Sequence, residues 1–258
     1  MRHTSARSYA LLNVILLSLL LSTAAHAQAD ERSRAQAPGA PEISYTVSMR
    51  RPQTHMLEVE ARLRYASAPA FVELRMPVWT PGSYLVREFE RNVQDFQASG
   101  DGGRALSWAK TDKDTWRVEA AGSRELRVRY GVYCNELSVR TNEVNDRHAF
   151  WNNAATLMYP AGNLGSPSTL RVEPFGDWMI GTGLPAVAGE RNTFRADNFD
   201  VLYDSPFIVS PYREISFAVK GVSHRILVDG AGNYDPELMR RDVQKVVEAE
   251  VEMMGEIP

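Results

Sequence analysis

The stretch LEVEARLRY, Leu57 to Tyr65, alternates apolar and charged residues without a break. Successive side chains of a strand point to opposite faces, so this pattern buries Leu57, Val59, Ala61, Leu63 and Tyr65. Glu58, Glu60, Arg62 and Arg64 are left on a wet face, as in a half-buried antiparallel strand. The same period recurs on either side. It runs upstream through Ile43, Tyr45, Val47 and Met49, and downstream through Val72, Leu74, Met76 and Val78, through Trp116 and Val118, and through ELRVRYGVYC, 125–134. Turn-forming clusters such as ASGDGGR separate the runs. Shorter strand-like runs follow: STLRVEP, DWMIGTGL, NTFRADNFDVLYD, EISFAVKG and HRILVDG. So many short strands over residues 42–229 predict a mainly β fold, an antiparallel β-sandwich.

The period then changes. Asp235-Pro236 is a helix start, with aspartate as N-cap and proline where its missing N–H is harmless. Met239, Val243, Val246, Val247, Val251 and Met254 follow at three- and four-residue steps, predicting one amphipathic helix over 236–254. A helix with such a stripe needs an apolar partner, and a closed sandwich has no spare inner face to offer. Either the helix packs on the outside of a sheet or it begins a second domain; the expectation is the second, with its Val/Met stripe uncovered.

At the other end, Arg2, His3 and Arg7 precede an apolar run from Ala10 to Leu21, and Ala25-His26-Ala27 offers small residues for cleavage. Residues 1–27 read as a secretory signal peptide, and 28–41, rich in Ala, Arg and Pro, as a flexible leader. The apolar run falls short of the about 20 residues that span a bilayer. No stable membrane anchor is expected after cleavage, and no cysteine near the cleavage site offers a lipid attachment. The expected destination lies across the inner membrane, in the periplasm. Hydrophobic residues make up 44% and charged residues 24% of the 258, an ordinary globular balance. The formal charge of −3 supplies no basic field, so nucleic acid is not an expected partner. The single cysteine, Cys134, continues the apolar face of 126–134 and reads as a buried structural thiol.

Motifs that carry chemistry are missing. Beyond the signal segment the histidines are His55, His148 and His224, and no two are spaced to hold one metal from a helix face. They read as surface or hydrogen-bonded structural histidines. No nucleophile elbow, phosphate loop or dinucleotide fingerprint occurs. Asp200 and Asp204 in NFDVLYDSP would share a strand face as an acid/base pair, but capping the Ser205-Pro206 turn is the simpler role for Asp204. The turn WTPGSY, 79–84, is unusual in another way. Pro81-Gly82 suits a bend, yet Trp79 and Tyr84 are large rings where turns carry small polar residues.

Three separated segments resemble one family. MPVWTPGSYLVREFERNVQDFQA, FWNNAATLMYP, and FDVLYDSPFIVSPYREISFAVKGVSHRILVDG with the helix after it are similar to the N-terminal part of the glycyl aminopeptidase family of zinc metallopeptidases, peptidase family sixty-one. The resemblance implies an N-terminal β-sandwich at 42–220. It also implies that 221–258, a short strand and the helix, are the incomplete start of a thermolysin-like α+β catalytic domain, with a PDZ-like domain beyond. It further implies removal of small N-terminal residues such as glycine from peptides, with zinc held by a His-Glu-x-x-His helix and a later glutamate. This sequence ends before that motif, so no catalytic residue or metal ligand carries over, and the chain alone is expected to be inactive. In related two-domain aminopeptidases the sandwich lies against the catalytic cleft; by that likeness Trp79, Tyr84 and Asp204 are candidate substrate-binding or interdomain residues. Peptide substrate is the expected partner, met through the missing catalytic domain. A different reading is a free-standing periplasmic β-sandwich module that captures a peptide or glycan on the Trp79–Tyr84 turn.

Overall fold

A computed structural model describes residues 39–80 and 84–257. The expected signal peptide, nearly all of the leader and the Pro81-Gly82 bend lie outside the described residues. The strands of the first half are β1 (Glu42–Ser48), β2 (Met56–Arg64), β3 (Phe71–Arg75), β4 (Val93–Ser99), β5 (Trp108–Asp112), β6 (Thr115–Glu119) and β7 (Glu125–Tyr133). Shorter ones follow: β8 (Glu143–Val144), β9 (Ala149–Trp151), β10 (Tyr159–Pro160), β11 (Ser168–Glu173), β12 (Met179–Thr182) and β13 (Thr193–Ala196). The chain continues through α1 (Phe199–Tyr203), β14 (Phe207–Ser210), β15 (Arg213–Val219), β16 (Val222–Val228) and α2 (Pro236–Met254).

The sheet that organises the rest runs in the order β13-β11-β1-β2-β7-β4. β2 is its centre, paired antiparallel with β1 from Glu42↔Arg64 to Ser48↔Glu58 and with β7 from Met56↔Tyr133 to Arg64↔Glu125. Leu57, Val59, Ala61 and Leu63 of β2 and Leu126, Val128, Tyr130 and Val132 of β7 are all buried. On the other face Arg129 pairs with Glu60 at 2.6 Å and Arg62 with Glu125 at 2.7 Å. A second sheet, β10-β3-β6-β5, closes over the inner face. Phe96 of β4 stacks on Trp116 of β6 with centroids 5.7 Å apart, and Trp108 of β5 meets its edge at 4.7 Å. The predicted sandwich is thus present. Among the described residues antiparallel pairing holds except at one place: β1 runs parallel to β11, Ile43↔Ser168 to Ser48↔Glu173. That pairing needs a long crossover, which the chain supplies by completing the second sheet in between.

A third sheet, β12-β14-β9-β8, extends the same core. Trp151 of β9 is fully buried and stacks on Phe207 of β14, with centroids 4.9 Å apart and planes 2° from parallel. One reading needs correction here. The run NTFRADNFDVLYD is not a continuous strand: β13 ends at Ala196 and 199–203 turn into α1. The cause is local, because the Asn198 side chain accepts the Val201 N–H at 2.9 Å as a helix N-cap.

β15 and β16 form a separate hairpin with a two-residue turn, Lys220-Gly221, both at positive φ (46° and 85°). The boundary expected between 220 and 221 falls inside this turn, between two seven-residue strands that the strand-like runs EISFAVKG and HRILVDG anticipate. Helix α2 spans the predicted residues, with the Asp235 carboxylate accepting from the N–H groups of Glu237 (2.9 Å) and Leu238 (3.1 Å). Its stripe is divided. Val243, Val247 and Val251 pack on Phe217, Val219 and Ile226 of the hairpin, whereas Leu238, Val246, Met253 and Met254 are exposed.

Glu125 gives this fold an acid-sensitive point. The hydrogen bond from Arg62, opposed by desolvation and helped by Arg127, lowers its carboxyl from 4.5 to about 2. Since the folded value lies below the unfolded one, the contribution is complete above about pH 4.5 and is lost as pH falls toward about 2. Urea unfolding across this range should show the Glu125→Gln variant losing less stability on acidification than the parent. Identical acid limbs would contradict the assignment.

Candidate functional site

The segment between β3 and β4 carries the chain from the second sheet to the edge of the first. Met76, fully buried, anchors its start and hydrogen-bonds through its N–H to Asp114 O at 2.9 Å. Phe89, 5% exposed, anchors its end in the same core. Between the anchors, the Arg87 N–H donates to Val78 O at 2.6 Å and pinches off a loop. Trp79 and Tyr84 stand on that loop with ring centroids 5.9 Å apart and planes at 37°. They are 48% and 79% exposed, so the fold leaves about half of Trp79 and most of Tyr84 uncovered, and Leu85 and Val86 beside them are exposed as well. The Lys113 ammonium, in the β5–β6 turn, bonds the Glu88 carboxylate and ties down the base of the loop. That bond holds the Glu88 carboxyl below its ordinary range and raises Lys113.

A second loop, between β7 and β8, exposes Leu137 and Val139. Its ends are joined by the Val144 N–H to Cys134 O at 2.9 Å and the Glu136 N–H to Asn142 O at 3.0 Å. Val86, Arg87 and Glu88 of the first loop and Tyr133, Glu136 and Asn142 of the second line a groove of about 560 Å³.

Asparagines set the floor. Asn142 is buried; its side chain donates to Ala155 O (3.2 Å) and Thr156 Oγ1 (3.0 Å) and accepts the Asn152 N–H (2.9 Å). Asn152 donates to Val139 O (3.1 Å) and Thr141 O (3.2 Å), fixing the exposed loop from below. Asn153, fully buried, accepts from Trp151 Nε1 at 3.0 Å and donates to Leu202 O and Ser205 O, both at 2.8 Å. The FWNNAATLMYP segment therefore clamps the turn that contains Asp204. These asparagines were missed as positioning residues; the Asn-Asn doublet flanked by a buried tryptophan was the available signal.

The three expected site residues do not form one constellation. Trp79 and Tyr84 meet, as described. Asp204 is exposed and is the C-cap residue of α1, its N–H bonded to Asp200 O at 3.1 Å. Residues 199–203 are helical, so Asp200 and Asp204 lie one helical turn apart instead of on a strand face, and Asp204 closes the helix through its backbone N–H. Cys134 is buried, with its thiol pushed up to about 12 by burial, and is no nucleophile. His55 bonds Val144 O at 2.6 Å, His224 stacks on Phe217 at 5.1 Å, and His148 lies between Glu143 and Asp229. Among the described residues no group of three or more His, Cys, Asp or Glu side chains is placed to hold a metal ion.

A family model described as the peptidase M61 N-terminal domain matches residues 44–211. Among solved structures, the chain is similar to an aminopeptidase N family protein of Idiomarina loihiensis, with 27% identity and a TM-score of 0.78. That match covers 84% of this chain and 37% of the other, so this chain spans well under half of its relative's length. A Deinococcus radiodurans M1 zinc metallopeptidase variant bound to a Tyr-Ser-Ala substrate matches at 15% identity and a TM-score of 0.45, covering 78% of this chain and 52% of that one. A comparison with curated proteins finds no match.

Exposed rings contribute little to a fold. Trp79→Ala and Tyr84→Ala should each change unfolding free energy by no more than about 0.5 kcal/mol, whereas Trp151→Ala should cost about 3–5 kcal/mol. A loop variant destabilised like the Trp151 variant in urea unfolding would place its ring in the core.

Proposed function

Because the chain belongs to the peptidase M61 N-terminal domain family, we propose that it is the non-catalytic front part of an exported zinc-dependent aminopeptidase that removes small N-terminal residues such as glycine. The observation that carries this reading is the family match over 44–211, joined to a neighbour of which this chain spans only 37%. The described residues do not fit a zinc ion, so no hydrolytic step is assigned to them. In the proposal the metal, its ligands and the water-activating base belong to a longer protein, in the catalytic domain that residues 221–258 begin. Residues 1–27 direct export, and the periplasm is the place of action.

The role left to this chain is reception. Trp79 and Tyr84 supply apolar, rigid faces at low entropic cost, of the kind that anchor interfaces. The groove beside them offers carboxylate and amide groups to a peptide backbone or to an adjoining domain. Asp204 is held rigidly at the surface by the Asn153 clamp and in this proposal belongs to the interdomain side. A free-standing module that captures peptide or glycan draws on the same observation, paired exposed rings on a loop whose later residues, Val86 to Glu88, line a groove.

Purified chain without the signal peptide, assayed with glycyl chromogenic substrates and added zinc, should show no turnover. The longer enzyme should turn these substrates over, and Trp79→Ala in it should lower kcat/KM about tenfold, the scale of one good interface anchor, with unfolding unchanged. Turnover by the isolated chain would overturn the non-catalytic assignment. Tight peptide or glycan binding by the isolated chain, with no effect of Trp79→Ala in the longer enzyme, would favour the free-standing module.

A further inference from the structure

Two packing units meet at His148. The large core holds the three sheets, whereas Phe217, Val219 and Val251 form a small cluster of their own with Ile226, Val243 and Val247. The hairpin stands beside β12 and β14 across a groove of about 490 Å³, lined by Phe150, Ile208, Arg225 and Leu227 among others. Polar ties across it include Tyr212 O–H to Ile180 O (3.1 Å) and the Arg225 guanidinium to Thr182 O (3.3 Å). Leu227 sits so close to Gly181 that a Cβ there would come within 2.1 Å of Leu227 Cδ1. A further tie carries charge. His148 Nδ1 lies 2.5 Å from Asp229 Oδ2, just past β16, and His148 Nε2 lies 2.9 Å from Glu143 Oε2 on β8.

Carboxylate oxygens only accept hydrogen bonds. Both contacts are therefore made only when both ring nitrogens carry hydrogen, which makes the imidazole a cation. Loss of either proton sets a ring lone pair against a carboxylate and leaves two anions facing an uncharged ring. The side chain is only 12% exposed, so solvent screens the change weakly. Its backbone is fixed too: Asn145 Oδ1 accepts the N–H groups of Arg147 (2.9 Å) and His148 (3.1 Å).

We propose that His148 is a proton-operated latch between the sandwich and the hairpin–helix unit of residues 213–257. As a cation it clamps Asp229 to Glu143; as a neutral ring it lets the hairpin loosen. The carboxylates in contact with it are Glu143 on β8 and Asp229 after β16; the other charged groups on these elements are Asp146 and Arg147, which precede it in the chain, and Arg213 of β15, whose register partner is Val228. β14 brings Ile208 and Val209, which do not titrate. The sign follows: the clamp is present while the imidazole is protonated and the carboxylates ionised, and it is lost as pH rises and the ring deprotonates. This inference is independent of the proposed aminopeptidase role.

The test is amide hydrogen exchange on the full chain at about pH 5.5 and about pH 8, corrected for intrinsic exchange. Protection of residues 213–228 should fall about tenfold at the higher pH, the scale of one charge-assisted hydrogen bond, while β2 and β7 stay protected. His148→Gln and Asp229→Asn should each show the low protection at both pH values. Equal parental protection at the two pH values would overturn the latch, as would a pH response that survives in either variant. If His148→Gln fails to fold, Asp229→Asn, altered at the hairpin end, decides alone.

Discussion

The register of β2 between β1 and β7 is the constraint from which the rest of the structure follows. A slip of one residue would carry Glu58, Glu60 and Arg62 into the core and turn Leu57, Val59 and Leu63 outward. Burying an unpaired charge costs far more than the fold can spare. The outer face reinforces the same register, since Glu60 stands directly opposite Arg129 and Glu125 lies within reach of both Arg62 and Arg127. With β2 set, β7 presents Tyr130 inward and β4 presents Phe96. The Phe96–Trp116 stack then brings the second sheet face to face with the first. The aromatic loop is a consequence of that closure, because it is the connection that crosses from β3 to β4.

Much of this was legible because short-range pattern decides it. The alternation in LEVEARLRY fixes a strand and its buried face together, and Asp235-Pro236 fixes the start of α2 through capping chemistry that needs no distant partner. What was not legible depends on partners remote in sequence. The parallel β1–β11 pair joins Ile43 to Ser168 across most of the sandwich, and nothing near either residue announces it. The helix at 199–203 was hidden by an apolar run that suits a strand equally well until the Asn198 cap is recognised. At the site, Trp79 and Tyr84 stood out because rings on a turn are anomalous. The groove beside them did not, because its second wall comes from residues 133–142, and the asparagines that shape it look like ordinary loop residues.

Among the described residues, two of the exposed apolar surfaces adjoin buried anchors. Met76 and Phe89 are buried on either side of Trp79 and Tyr84, and Glu88, next to Phe89, pairs with Lys113. The outer stripe of α2, Leu238, Val246, Met253 and Met254, is held out by the packing of its inner stripe on the hairpin. Rigid display of apolar groups lowers the entropy lost when a partner covers them. In the proposed aminopeptidase the adjoining domain or the peptide itself is that partner, and Asn153 links the turn at Asp204 to the same framework.

The central claim is that the aromatic loop is a receiving surface of a larger enzyme and not part of this domain's own core. Hydroxyl-radical footprinting of Trp79 and Tyr84, in the isolated chain and in the longer enzyme proposed to contain it, tests this most directly. The account predicts strong labelling of both rings in the isolated chain and marked protection in the longer protein, alone or with peptide bound. Equal strong labelling in every state would contradict it.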